Sequence, residues 1–162
     1  MQIIILTGPI NAGKTTTGRA LARLVADASF VDGDDHDAPD DAPLAVRISA
    51  SMAHIETHII AAQGAALIVA VPLREEDYRR LRDTALSVGA ELRVVTLNPP
   101  SEIAFTNRGG RQLSPDEIAR AQEMYQEGYA SRPFSALVVT DMPGPEATAR
   151  AIARDLQLTL RA

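Results

Sequence analysis

Residues 8–15, Gly8-Pro9-Ile10-Asn11-Ala12-Gly13-Lys14-Thr15, fit the pattern G-x-x-x-x-G-K-[ST], and the flanking segments restrict what can form around them. Gln2 to Thr7 is a nearly continuous apolar run ending at a glycine, which reads as a parallel strand covered on both faces. Lys14 to Ala26 sets Leu21, Leu24 and Val25 among small residues and predicts a helix. A strand that turns through glycines directly into a helix gathers backbone amides at the helix's positive end, where phosphate oxygens bind. In such a loop the lysine reaches the β- and γ-phosphates and the hydroxyl serves Mg²⁺. Gly8, Asn11, Ala12, Gly13, Lys14, Thr15 and Thr16 are therefore expected to hold ATP, Thr15 its metal, and Lys14 is also expected to act in catalysis. A glycine turn without a ligand accounts for the glycines but not for a Lys-Thr pair opening an otherwise apolar helix.

The same alternation continues to the end of the chain. A second strand is predicted at Ser29 to Asp32, a third at Ala66 to Val71, a fourth at Glu91 to Leu97 and a fifth at Ala136 to Thr140. Between them, Leu44 to Gln63 carries Leu44, Ile48, Met52, Ile55 and Ile59 as one apolar helical stripe, and Glu75 to Val88 is amphipathic. Pro99-Pro100 halts the fourth strand, and Ser114-Pro115-Asp116-Glu117 is a capping box opening a helix to about Tyr129. A final helix is expected at Pro145 to Leu156. Strands alternating with helices predict an α/β fold with a five-stranded, mostly parallel sheet and helices on both faces.

With 162 residues the expectation is one domain, residues 1–162. A net charge of −5 with no long basic run argues against a nucleic-acid partner. No stretch approaches the roughly 20 apolar residues that span a bilayer, and no secretion segment opens the chain, so a cytoplasmic protein without a membrane partner is expected. The absence of cysteine removes disulfides, thiolate nucleophiles and cysteine zinc sites.

Chemistry beyond the phosphate loop concentrates in Asp32 to Pro43, where six aspartates, a glycine and two prolines predict an irregular loop. It follows the second strand, at the sheet edge where open α/β folds bind ligands. Phosphoryl transfer to an alcohol needs a group that orients or deprotonates the hydroxyl and a cation that holds the phosphates, and adjacent carboxylates serve both needs. The alternative for this cluster is a solvated acidic turn.

Gly8 to Thr15 followed by Phe30-x-Asp32-Gly33-Asp34-Asp35-His36 resembles the gluconate, shikimate and adenylylsulfate kinases of the P-loop superfamily, with gluconate kinase the nearest look. The resemblance implies a P-loop fold and ATP- and Mg²⁺-dependent transfer to a small-molecule hydroxyl: a sugar acid, a shikimate-like acid or an antibiotic. It also implies that Asp32 supports the metal while Asp34 contacts the acceptor as base or orienter. Arg74, after Val69-Ala70-Val71-Pro72-Leu73, is similar to a basic residue facing the acceptor. The chain departs from that family at Val71-Pro72, where small polar residues are usual.

Arg108-Gly109-Gly110-Arg111 looks like a lid, around 107–115, that closes over ATP; Arg108 is then expected on the nucleotide and Arg111 in catalysis. On the Leu44 to Gln63 helix, Arg47, Ser51, His54 and His58 project along one edge of the apolar stripe, and this edge is expected to line the acceptor pocket through Arg47. The His54/His58 spacing lacks the glutamate placement of a zinc motif. Asp141 to Pro145 resembles a loop covering adenine. Two rival readings stay open, a nucleotide-dependent ATPase or switch without an acceptor and a binding module without activity. The sequence is compatible with a monomer or a homodimer.

Overall fold

A computed structural model describes residues 1–105 and 112–162. Its elements run β1 (Gln2–Thr7), α1 (Lys14–Leu24), β2 (Ala28–Asp32), α2 (Leu44–Ala61), β3 (Ala66–Ala70), α3 (Glu75–Ser87), β4 (Glu91–Leu97), α4 (Ser101–Ala104), α5 (Pro115–Gln126), β5 (Leu137–Val139) and α6 (Pro145–Asp155). The strands form one sheet in the order β2-β3-β1-β4-β5, and every pairing is parallel. β1 lies at the centre of the sheet, and its Ile3, Ile4, Ile5 and Leu6 are all fully buried.

Alternating residues of β1 feed two cores. Ile4 and Leu6 pack with Leu21 of α1 and Ile152 of α6, whereas Ile3 and Ile5 pack with Met52, Ile55 and Ile59 of α2 and Leu81 of α3. Helices therefore cover both faces, as a parallel sheet requires.

Element boundaries shift where backbone geometry overrides periodicity. α1 stops at Leu24, not Ala26, because Val25 turns extended (φ −81°, ψ 137°) and forms an antiparallel bridge with Leu160. α5 stops at Gln126, and the chain turns through Gly128 at φ +80° before burying Tyr129. The capping box is formed in full: the Glu117 amide donates to Ser114 Oγ and the Ser114 amide to Glu117 Oε2. The short α4 was not expected from the sequence. Pro100 supplies its N-cap, and one turn is too short to show a 3.6-residue period.

The stripe on α2 is buried only in part. Met52, Ile55 and Ile59 are 1% exposed or less, but Leu44 is 51% exposed. The first turn of α2 instead borders a cavity through Leu44 and Arg47.

Candidate nucleotide and acceptor site

The loop between β1 and α1 owes its shape to a few backbone positions. Gly8 adopts φ +148°, and a Cβ there would lie 2.5 Å from Leu97 O, so only glycine fits against the end of β4. Asn11 (φ 62°) and Gly13 (φ 91°) are both left-handed, which bends the chain into a concavity ending at α1. The first i→i−4 bond of α1 runs from Thr17 N to Gly13 O at 3.0 Å, so the amides of Thr15 and Thr16 precede the helical ladder at its positive end. No side chain caps this end.

Lys14 Nζ donates to Gly8 O at 3.0 Å and Pro9 O at 2.7 Å, placing the ammonium within the loop. Thr16 Oγ1 donates back to Gly13 O at 3.3 Å. Asn11 Nδ2 donates to Ala104 O at 2.9 Å, which ties the loop to α4. Ala12 is fully buried. Met142, in the Asp141 to Pro145 segment, comes within 3.4 Å of where a Cβ on Gly13 would stand, which sets that segment beside the loop.

Thr15 Oγ1 donates to Asp32 Oδ2 at 2.8 Å. This bond joins the start of α1 to the end of β2, and it is the link between the two motifs that the sequence separates by 17 residues. Asp32 Oδ1 also accepts from the Asp34 amide at 3.1 Å, which shapes the start of the acidic loop. A hydroxyl and a carboxylate are hard oxygen donors suited to Mg²⁺, which commonly takes one or two protein ligands and completes its shell with phosphate and water. Among the described residues there is no cluster of three or more His, Cys, Asp or Glu able to hold a metal by itself.

Beside these loops lies a cavity of about 470 Å³, bounded by Ile10 of the phosphate loop, Asp34 and His36 of the acidic loop, and the first turns of α2. It brings together Asp34, Arg47 and Arg74, three residues 40 positions apart at the extremes. Ser51, on the next turn of α2 from Arg47, also lines it, but His54 and His58 do not. The helical edge expected to line one pocket therefore divides: the two histidine rings contact each other at 4.7 Å, and His58 borders a separate hollow near Asp27 and Gly64. The helix is longer than the cavity is wide.

Arg74 lines the cavity with its guanidinium already engaged. Its Nε and Nη2 bind both carboxylate oxygens of buried Asp77 at 2.7 and 3.0 Å, and Nη1 lies 2.6 Å from Glu76. The Asp77 hydrogen bond, with further help from Glu76, raises its pKa above the ordinary arginine value. The sequence reading missed Asp77, Arg120 and Tyr129 as lining residues. Arg120 is held by Glu123 and Glu127 at 3.0 and 2.9 Å, and Tyr129 packs under Arg132, whose guanidinium stands 4.2 Å from the ring centroid. The capping box of α5 marks where this helix starts, but nothing in its sequence marks which face borders the cavity. Arg108, Arg111 and most of the expected lid lie outside the described residues.

No helix among the described residues is long and apolar enough to cross a membrane. No protein-family model matches the chain, and no curated protein matches it by sequence. Solved structures do. The tunicamycin resistance protein of Deinococcus radiodurans superposes with a TM-score of 0.70 at 21% identity, covering 99% of this chain and 98% of that one. A gluconokinase from Sinorhizobium meliloti gives 0.67 at 16% identity, over 96% and 95%. The APS kinase of Mycobacterium tuberculosis, solved with AMPPNP and APS, gives 0.62 at 14% identity, over 96% and 97%. At these identities the likeness is one of fold, and the α/β fold of this chain is the one those proteins share.

Proposed function

We propose that this protein is an ATP-dependent phosphotransferase that moves the γ-phosphoryl group to a hydroxyl of a small molecule. One observation carries the reading: the phosphate loop and the acidic loop wall the same cavity, Ile10 on one side and Asp34 on the other. A nucleotide switch or ATPase has no need of a second cavity opening from its phosphate loop.

In this reading the Thr15 and Thr16 amides and the Lys14 ammonium bind the β- and γ-phosphate oxygens. Thr15, with Asp32 behind it, would hold Mg²⁺, which would supply neutralising charge to those phosphate oxygens. Asp34 accepts the proton of the acceptor hydroxyl as its oxygen bonds to the γ-phosphorus and the bond to the ADP oxygen breaks. Arg47 orients the acceptor, and Arg74, clamped by Asp77, stiffens the cavity wall. Arg108 and Arg111 are assigned to the charge developing on the transferred group. The acceptor hydroxyl belongs to a sugar acid, a shikimate-like acid or an antibiotic, and the fold likenesses to gluconokinase and to a tunicamycin resistance protein support including both kinds.

The purified protein is to be incubated with ATP·Mg²⁺ and gluconate, shikimate, adenylylsulfate or hydroxylated antibiotics including tunicamycin, with ADP and acceptor mass followed together. An acceptor gaining one phosphoryl group is expected. Lys14→Ala should lose most ATP affinity in calorimetry, whereas Asp34→Asn should keep it and lose about 10²–10⁴-fold in turnover. ADP formation with no phosphorylated acceptor, or full turnover by Asp34→Asn, refutes the proposal.

A further inference from the structure

Most charged groups around the acceptor cavity are already satisfied by one another. Arg74 is held by Asp77 and Glu76, Arg120 by Glu123 and Glu127, and Glu117 by the Ser114 amide in the capping box. His36 Nδ1 accepts from the Ala38 amide at 3.2 Å. The polar groups left to address a ligand are few. The Asp34 carboxylate makes no ion pair among the described residues, and two side-chain atoms, Arg47 Nε and Ser51 Oγ, are buried without any hydrogen-bond partner. Ser51 is only 6% exposed, and an orphaned buried hydroxyl costs free energy unless something supplies its partner.

The remaining wall is apolar: Ile10, Leu44, Ile48, Val71, Pro72 and Met124 border the same space. Val71 and Pro72 present no side-chain hydrogen-bonding group to it, and Leu44 leaves half its surface open. A densely hydroxylated sugar acid would lose its hydration against these side chains and find few donors or acceptors in return. A volume of about 470 Å³ is within the range of roughly 300–1,000 Å³ that holds drug-sized ligands.

We infer that the acceptor is amphipathic: one hydroxyl at Asp34, one oxygen that accepts hydrogen bonds from Arg47 Nε and Ser51 Oγ, and an apolar body lying between the first turns of α2 and the Val71-Pro72 wall. The inference rests on the phosphotransferase reading and narrows its substrate class. It predicts that gluconate and shikimate are poor acceptors even though the fold is shared with a gluconokinase.

Binding and turnover separate the two claims. With AMPPNP and Mg²⁺ present, calorimetry compares methyl and n-hexyl β-glucosides, matched except for apolar length, with gluconate and shikimate; turnover is read in parallel on these and on tunicamycin. The hexyl glucoside should bind at least tenfold more tightly than the methyl glucoside. Ser51→Ala should weaken hexyl glucoside binding about fivefold while its melting temperature stays equal or rises, because the change removes an unsatisfied buried group. Equal binding by the two glucosides, or tighter binding of gluconate or shikimate, overturns the inference and leaves the kinase reading standing. So does unchanged affinity in Ser51→Ala. A hexyl preference without any phosphorylated acceptor overturns the kinase reading and keeps the amphipathic site.

Discussion

Gly33 lies between Asp32 and Asp34, and a side chain there has nowhere to go. A Cβ on Gly33 would stand 2.8 Å from Val71 Cγ2, 2.9 Å from Ser51 Oγ and 3.0 Å from Val71 Cβ. These neighbours cannot easily yield: Val71 is 3% exposed at the end of the β3 ladder, and Ser51 sits on a buried face of α2. Gly33→Ala should therefore overpack the joint between the acidic loop, β3 and α2. Such overpacking costs about 1–3 kcal/mol. Replacing a glycine whose backbone alanine can adopt returns about 0.4–1 kcal/mol through the unfolded chain. The net is a loss of about 1–2 kcal/mol, which lowers the melting temperature by about 2–8 °C in a chain of this length. Because Gly33 N also donates to Ala70 O at 2.8 Å, the displaced loop should carry Asp34 away from the cavity and raise the acceptor KM. Thermal unfolding by circular dichroism, with a denaturant titration as a two-state check, reads the first effect and steady-state kinetics the second. A melting temperature equal to or above that of the parent would refute the packing argument.

Gly144, before α6, makes the opposite case: φ is 168°, ordinary extended backbone, and nothing lies within 4 Å of an added Cβ. Gly144→Ser, which restricts the unfolded chain and supplies an N-cap hydroxyl, should add about 0.5–1 kcal/mol to stability in a denaturant titration. Glu56 on α2 accepts from Arg80 Nε and Nη2 at 2.9 and 2.6 Å and from Thr84 Oγ1 at 3.0 Å, pinning α2 to α3. The Arg80 hydrogen bonds hold the Glu56 carboxyl below its ordinary value of 4.5 against the opposing effect of burial. A depressed carboxylate stabilises the fold above its unfolded pKa and loses that contribution as pH falls through the folded one. Glu56→Gln should therefore cost about 0.5–1 kcal/mol near neutral pH, discounted for the partly exposed pair, with the difference closing below about pH 4.5. A difference independent of pH would refute this.

The local chemistry of this protein is written in short stretches of sequence. Gly8 to Thr15 specifies its own turn, since the glycines and the Lys-Thr pair are needed wherever that turn is made, and the apolar run before it specifies a doubly covered strand. The capping box at Ser114 likewise forms from four consecutive residues. Alternation of these segments, with the known handedness of parallel crossovers, was enough for the α/β class and a mostly parallel sheet. Pairing between distant elements was not legible in the same way. The Thr15–Asp32 bond and the meeting of α5 and the acidic loop at one cavity depend on which elements become neighbours, and periodicity reports only that a face is apolar, not what it meets. For the same reason α2 read as one uniform stripe and one polar edge. Only the tertiary packing decided that Leu44, Arg47 and Ser51 border the cavity while Ile55 and Ile59 enter the core.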